Sequence, residues 1–463
     1  MKISLKAFVI TLLTFCSIVS CKKDPPQEVV PATASITLIK IFSWSFASAP
    51  LRFAESSLSN NTAYGFNRAR ISWYNIDPTI FYNRSSSLRP FNITNDDMSA
   101  DECRVIYEKD LFPSRDNQYN QPLNLNMFNI DYYPAERGAW NYDTEPTAFS
   151  AGITYDGKLN DPATRWAGII RKVETNDELK YNYLDFWILD PFTTYPDANG
   201  ELVFDMGDIS EDVLKDGLIS AEYNTEEQVI PTAWGLIKQQ SGVLFFPNDI
   251  NRKKYDTGLD GLQSNNENYY AEDENNYFYD YLVRIKQLCN PLFYITFSND
   301  PSGDDYHSFL GDDYDQLNYK VRDRYKKING EENNSPINEG NSNLIGQRNP
   351  NSEDINCNAI LDTLNNYFEY KIHINKQSLQ VGTNYLVETY TNPSPVKLEN
   401  GKIGNSKFYH FRIPMTNYTA IYGSPNPSTN PKFIRMYFTG FSSPINMRFV
   451  NLDFSEEVIE YTH

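Results

Sequence analysis

Two stretches, Tyr183-Leu184-Asp185-Phe186-Trp187-Ile188-Leu189 and Tyr367-Phe368-Glu369-Tyr370-Lys371-Ile372-His373-Ile374, decide the fold class. Both are dense in aromatic and β-branched residues, and from Phe368 onward the second alternates apolar with charged or polar side chains. Successive side chains of a strand point to opposite faces, so this alternation predicts a strand with one buried face. Working outward, Ala69 to Tyr74, Leu202 to Asp205 and Ile434 to Thr439 read the same way, separated by clusters of Asn, Asp, Gly and Pro. Helical patterns are fewer. Ser210 to Leu214 follows Asp208, with Glu211 at a capping-box spacing, and Asn276 to Leu288 repeats apolar residues at helical intervals. Trp166 to Phe204 would supply early strands, and Tyr367 to Phe454 would return to complete the sheets. Phe411-Arg412-Ile413-Pro414 and Phe433 to Phe441 look like strands of jelly-roll modules. The expected fold is mainly β, a jelly-roll-like antiparallel β-sandwich with long insertions and a few short helices. The polar stretches Ser264 to Asn276 and Asn329 to Pro350 read as surface insertions.

The 463 residues hold 41 Lys and Arg against 60 Asp and Glu, a formal net charge of -19. A phosphate backbone is held mainly by clustered cations, so this balance argues against a nucleic-acid partner. Acidic stretches such as Asp300 to Asp315 and Ser352 to Asp354 are expected on a solvated face.

At the N-terminus, Lys2 and Lys6 precede an apolar run from Ala7 to Phe15, and Ile18-Val19-Ser20-Cys21 reads as a lipobox. Residues 1–20 are then a lipoprotein signal peptide, Cys21 receives the lipid, and 21–34 form a Pro-rich tether. The other reading is an ordinary secretory signal with Cys21 incidental. No later run reaches the roughly 18 apolar residues of a membrane helix; Ile36 to Phe46, broken by Lys40, Ser43 and Ser45, reads as a strand. Cys103, Cys289 and Cys357 remain, an odd and widely spaced set that reads as buried free thiols.

No catalytic constellation is legible. The histidines His307, His373, His410 and His463 lie outside any nucleophile or metalloprotease motif, and His373 alternates within a strand pattern. Asp304-Asp305 and Asp312-Asp313 read as a solvated acidic loop rather than paired catalytic carboxylates. The expectation is a non-enzymatic protein requiring no cofactor. One stretch has calcium-loop spacing: Asp354, Asn356, Asn358 and Asp362 place oxygens where such a loop needs them. Ala359 stands where a glycine permits the turn, and Asn365 where a bidentate Glu belongs; an Asx-turn leading into the strand at Tyr367 is the competing reading. Trp187, Tyr370 and Tyr437 are candidate binding aromatics, against the alternative that strand aromatics are core.

A series of ordered blocks carries a more specific signal. Tyr64-Gly65-Phe66-Asn67-Arg68-Ala69, Trp73-Tyr74-Asn75-Ile76-Asp77-Pro78, Tyr132-Tyr133-Pro134-Ala135-Glu136-Arg137-Gly138, Arg165-Trp166-Ala167-Gly168-Ile169-Ile170-Arg171, Asp185 to Phe192 and Gly207 to Leu214 come first. Asp256-Thr257-Gly258-Leu259-Asp260-Gly261-Leu262, Glu353-Asp354-Ile355-Asn356, Tyr367-Phe368-Glu369-Tyr370, Phe411 to Pro414 and Arg435 to Phe441 follow. From about Ser43 to Glu460 the chain resembles a segment of the SprA/Sov family of gliding-motility and type 9 secretion proteins. The resemblance implies a part in the outer-membrane translocon of Bacteroidetes, whose members form a very large β-barrel. Family members are several times longer, so the expectation is a partial segment without most of the barrel. Charged residues such as Arg171, Asp190, Asp205 and Arg435 interrupt the lipid-facing alternation that barrel strands need. The implied partners are type 9 secretion and gliding outer-membrane components, with membrane attachment through the lipid anchor and a place at the outer membrane, on the cell surface. The alternative is an independent surface lipoprotein binding glycan or protein. Within this frame 35–150 is an SprA-like N-terminal β segment, 151–262 the first part of the sandwich, 263–350 a polar, partly helical insertion, and 351–463 the second part of the sandwich.

Overall fold

Alternation along Tyr183–Leu189 sends side chains into two different cores. Phe186 and Ile188 enter the principal core, whereas Trp187 and Leu189 join a second cluster with Ile106, Phe112 and Phe408. A strand covered on both faces reads as a nearly continuous apolar run, as this one does.

The computed structural model describes residues 35–456, except 84–85, 115–122, 175–179, 223–228, 239–254, 265–266, 268–277 and 335–349. The expected signal peptide, Cys21 and the tether lie outside the described residues. In chain order the strands are β1 (Ser35–Thr37), β2 (Ser45–Phe46), β3 (Ala69–Tyr74), β4 (Phe128–Arg137), β5 (Trp166–Lys172), β6 (Tyr183–Leu189), β7 (Asn199–Asp208), β8 (Val229–Pro231), β9 (Leu236–Lys238), β10 (Asn366–Asn375), β11 (Leu386–Thr391), β12 (Val396–Lys397), β13 (Ile403–Gly404), β14 (Lys407–Pro414), β15 (Ala420–Tyr422), β16 (Phe433–Thr439) and β17 (Ile445–Ser455). One sheet runs β11-β14-β6-β17-β4-β3, with β1 added to β17; the other runs β15-β10-β7-β16-β5-β2. Two small hairpins, β8–β9 and β12–β13, lie apart from them. All strand pairs of both sheets are antiparallel, and the large apolar cluster draws on both. This is the expected antiparallel sandwich, with open edges rather than a closed barrel.

The sheets are knit by distant segments. β6 pairs with β14 and β17, and β7 pairs with β10 and β16, so each early strand lies between two strands from beyond residue 366. Phe186 stacks on Phe411 at 5.2 Å and packs near Phe449 at 5.6 Å. Each fully buried side chain of this size contributes roughly 1.5–3 kcal/mol. Asp205 and Arg435, which break the apolar alternation, face each other across β7 and β16. Both are fully buried and paired at 2.5 Å, and Arg435 also donates to the Ser48 carbonyl at 3.1 Å.

Within the N-terminal β segment 35–150, β3 and β4 belong to one sheet and β2 to the other. Three expectations need correction. The stretch Ser210 to Leu214 is not helical. Glu211, expected to cap it, instead accepts the backbone N–H groups of Asn356 and Asp362, each at 3.1 Å. Ile36 to Phe46 is interrupted by a 3-10 turn at Ile41–Ser43. Cys357 is exposed, although Cys103 and Cys289 are buried free thiols as expected. The helix foreseen up to Leu288 is present as Tyr279–Leu288, followed by Pro291–Asn299, whose N-terminus Asn290 caps through its side chain. No helix among the described residues is long and apolar enough to cross a membrane.

Candidate functional site

The turn Asp256-Thr257-Gly258-Leu259-Asp260-Gly261-Leu262 closes on itself. Gly261 N–H donates to the Gly258 carbonyl at 2.9 Å, and Leu262 N–H donates to Asp260 Oδ1 at 3.0 Å. The second loop, Asp300 to Asp305, turns at Gly303, where φ is 79° and a side chain would be strained. Gly303 N–H donates to Asp300 Oδ1 at 2.8 Å. Arg137 at the end of β4 anchors this loop by donating to the Asp300 carbonyl at 2.6 Å, and Lys327 pairs with the Asp300 carboxylate at 2.7 Å. A third loop lies alongside: Glu331 and Glu332 donate backbone N–H groups to the Asp304 carbonyl at 2.8 and 3.1 Å.

These loops, with Glu267, bring together carboxylates far apart in the chain. One side-chain oxygen from each of Glu267, Asp304 and Glu332 lies within 4.8 Å of the others, and all three residues are buried. Asp260 belongs to the same group, for a Cβ built on Gly258 would meet Asp304 Oδ2 at 1.9 Å and Asp260 Oδ1 at 3.3 Å. Glycine at 258 therefore leaves room for the Asp304 carboxylate. Some oxygens have donors: both Glu332 oxygens accept the Ser264 N–H at 3.0 Å, and Ser302 Oγ donates to Asp304 Oδ1. Others do not. Asp304 Oδ2, Glu267 Oε1, Asp260 Oδ2 and Glu331 Oε2 are buried without a hydrogen-bond partner.

Burial pushes these acids upward; neighbouring carboxylates add to it at Glu267, Asp304 and Glu332, whereas Arg68 opposes it at Glu331, and the Leu262 N–H and a hydrogen bond with Glu267 oppose it at Asp260. Asp260 is raised to about 7, Glu331 and Glu332 to about 8, and Glu267 and Asp304 well above the carboxylate range. The physical cause is a shared negative potential in a dry site. Asp300 differs: burial opposes its charge, but Lys327 and Arg137 hold it below the usual value.

Glu331 also lines a neighbouring cleft of about 280 Å³, together with Trp44, Trp73, Phe309, Tyr325 and Asn334. The exposed Phe42 stands at this cleft too. The loop from Asn329 to Asn334 thus separates an apolar cleft from the acid cluster.

The residues singled out in the sequence lie elsewhere. Trp187, Tyr370 and Tyr437 are each fully buried, so none presents a ring to a ligand. Trp187 stacks on His410 at 4.3 Å, Tyr370 donates to the Met415 carbonyl, and Tyr437 donates to Glu369. Around Trp187 the outer face of the sheet is covered by the segments carrying Ile106, Phe112 and Met127, which turns that face into core. The expected calcium loop is held by its own hydrogen bonds. Asp354 accepts the Asn358 and Ala359 N–H groups at 2.9 and 2.7 Å, Asn358 Oδ1 accepts the Ile360 N–H, and Asn356 donates to Asp362. That is the Asx-turn reading, with its acid oxygens turned to backbone. Asp304, expected on a solvated loop, is 1% exposed. His410 lies in β14 with Nε2 2.5 Å from Asp185 Oδ1, while His373 is exposed on β10.

Residues 280–459 match a family model, SprA_N, described as motility related/secretion protein. The match bears out the SprA/Sov resemblance. It takes in the helices after Tyr279, the loops bearing Asp304 and Glu332, and strands β10 to β17. Asp260 and Glu267 precede the matched residues, although Asp260 sits in one of the blocks that resemble the family. A search of curated proteins gave no match. Over these residues the chain is similar to motility and secretion proteins.

Proposed function

We propose that the chain acts as a non-enzymatic component of the type 9 secretion and gliding machinery, held at the outer membrane by a lipid on Cys21 and facing the cell surface. The family match over residues 280–459 carries this reading. A sandwich partly covered by other segments and followed by short helices suits a part that docks within an assembly. The alternative, a free-standing glycan-binding lipoprotein, has lost its proposed aromatic platform to the core. Affinity purification from cells expressing the tagged full-length chain is the decisive experiment. Co-isolation of outer-membrane secretion and gliding components, together with a secretion or gliding defect on deletion, is expected. Recovery of the protein free of those components, with secretion and gliding intact in the deletion strain, overturns the reading.

A further inference from the structure

Carboxylates remain charged in a dry interior only when something positive compensates them. Beside the cluster at Glu267, Asp304 and Glu332, Lys327 is already engaged by Asp300. Arg137 is likewise turned to the Asp300 and Pro301 carbonyls and to Tyr281. What remains are buried oxygens without donors, Asp304 Oδ2 and Glu267 Oε1, on two of the three acids whose carboxylates converge within 4.8 Å, with Asp260 Oδ2 on the adjoining turn. A hard cation bound by oxygens at roughly 2.3–2.6 Å spans no more than about 5 Å between opposite ligands, which the 4.8 Å limit on the three carboxylates fits. Gly258 keeps the approach to Asp304 open. The carboxylates are held by loops rather than by a rigid helix face, and such all-protein cages suit Ca²⁺ better than the strictly octahedral, reluctantly dehydrated Mg²⁺.

We propose that Glu267, Asp304 and Glu332, with Asp260 beside them, form a calcium site that ties Glu267 to the Asp256 to Ser264, Asp300 to Asp305 and Gly330 to Glu332 segments. Calcium there would hold together loops that Arg137, at the end of β4, anchors through the Asp300 carbonyl. It is independent of the role in secretion.

The purified protein, stripped with EDTA and returned to buffer, is the test object. Its Tm is expected to rise by roughly 2–5 °C at a hundredfold excess of Ca²⁺ over Kd, and by less with Mg²⁺ at the same concentration. Tb³⁺ excited through nearby aromatic residues such as Tyr142, which lies in the field of Asp260, Glu267 and Asp304, should emit and be displaced by Ca²⁺. Asp304→Asn should abolish both signals, and Asp354→Asn should keep both. Should Asp304→Asn fail to fold, Glu332→Gln takes its place, and direct measurement of bound calcium on the wild-type protein stands by itself. A wild-type protein that binds no calcium, an equal response to Mg²⁺, or a full calcium response in the folded ligand variant overturns the assignment.

Discussion

Among the described residues two groups of three buried or half-buried carboxylates occur, and their surroundings differ. Around Asp212, Asp216 and Glu353 most of the oxygens meet backbone donors, Asp216 Oδ2 alone being left without one. Glu353 accepts the N–H groups of Val213, Leu214 and Ser220 at 2.7, 3.0 and 2.9 Å, Asp212 those of Asp216 and Gly217, and Asp216 that of Leu218. Around Glu267, Asp304 and Glu332 the donors are the Ser264 and Ser302 amides and a few side chains, and two oxygens, Asp304 Oδ2 and Glu267 Oε1, are left over. In the first group the acids replace water for a stretch of backbone that is neither helix nor strand, and in the second they gather with two acceptor oxygens still unmatched. Convergence of acids alone does not define a metal site; the supply of N–H donors decides.

The comparison can be broken most forcefully at Glu353. Glu353→Ala leaves three buried amides without an acceptor and should cost about 3–5 kcal/mol in urea unfolding, by the same amount with EDTA as with Ca²⁺. A cost that vanishes in EDTA would show that this group, too, holds a cation. Next in size, Gly258→Ala places a methyl on the Asp304 carboxylate. It should destabilise by about 1–3 kcal/mol and weaken calcium binding at least tenfold, as titration calorimetry will read; unchanged affinity would remove Asp304 from the site. Smaller still is a pH effect beside the donor-rich group. Burial raises Glu211 to about 7, so the folded protein holds that proton more tightly than the unfolded chain. Its contribution is complete below about pH 4.5 and is lost as pH rises through 7. Glu211→Gln should flatten this fall, on the order of 1 kcal/mol, in stability curves measured from pH 4 to 8 at constant Ca²⁺; an unaltered slope would refute it. The smallest change is expected for Asp354→Asn, about 0.5–1 kcal/mol through one weakened cap, with calcium-dependent Tm unaltered.

Local patterns were faithfully legible. Ala69 to Tyr74 and Tyr183 to Leu189 coincide with β3 and β6, and Tyr367 to Ile374 and Ile434 to Thr439 fall inside β10 and β16. Side-chain alternation is a property of neighbours in sequence, so a strand announces itself there. The misreadings share the opposite origin. Ser210 to Leu214 looked like a capped helix because Glu211 has the right spacing, yet its partner Asn356 lies 145 residues on. Trp187 looked available because half of each strand usually faces water, yet Ile106, Phe112 and Met127 cover that face. Asp304 looked solvated because it sits among Ser, Gly and Asp, yet the turn at Gly258 and the Glu331–Glu332 backbone close over it. No spacing rule could have assembled the acid cluster, whose members come from three separated loops.

By itself the sequence determined that the chain folds into antiparallel strands, which stretches form them, and which family it resembles. Tertiary structure alone decided which of the 60 acids lose their water and which of those find an N–H donor. The physical reason is that strand formation depends on periodicity within a few residues, whereas desolvation and charge compensation are set by atoms a few ångströms away that arrive from anywhere in the chain.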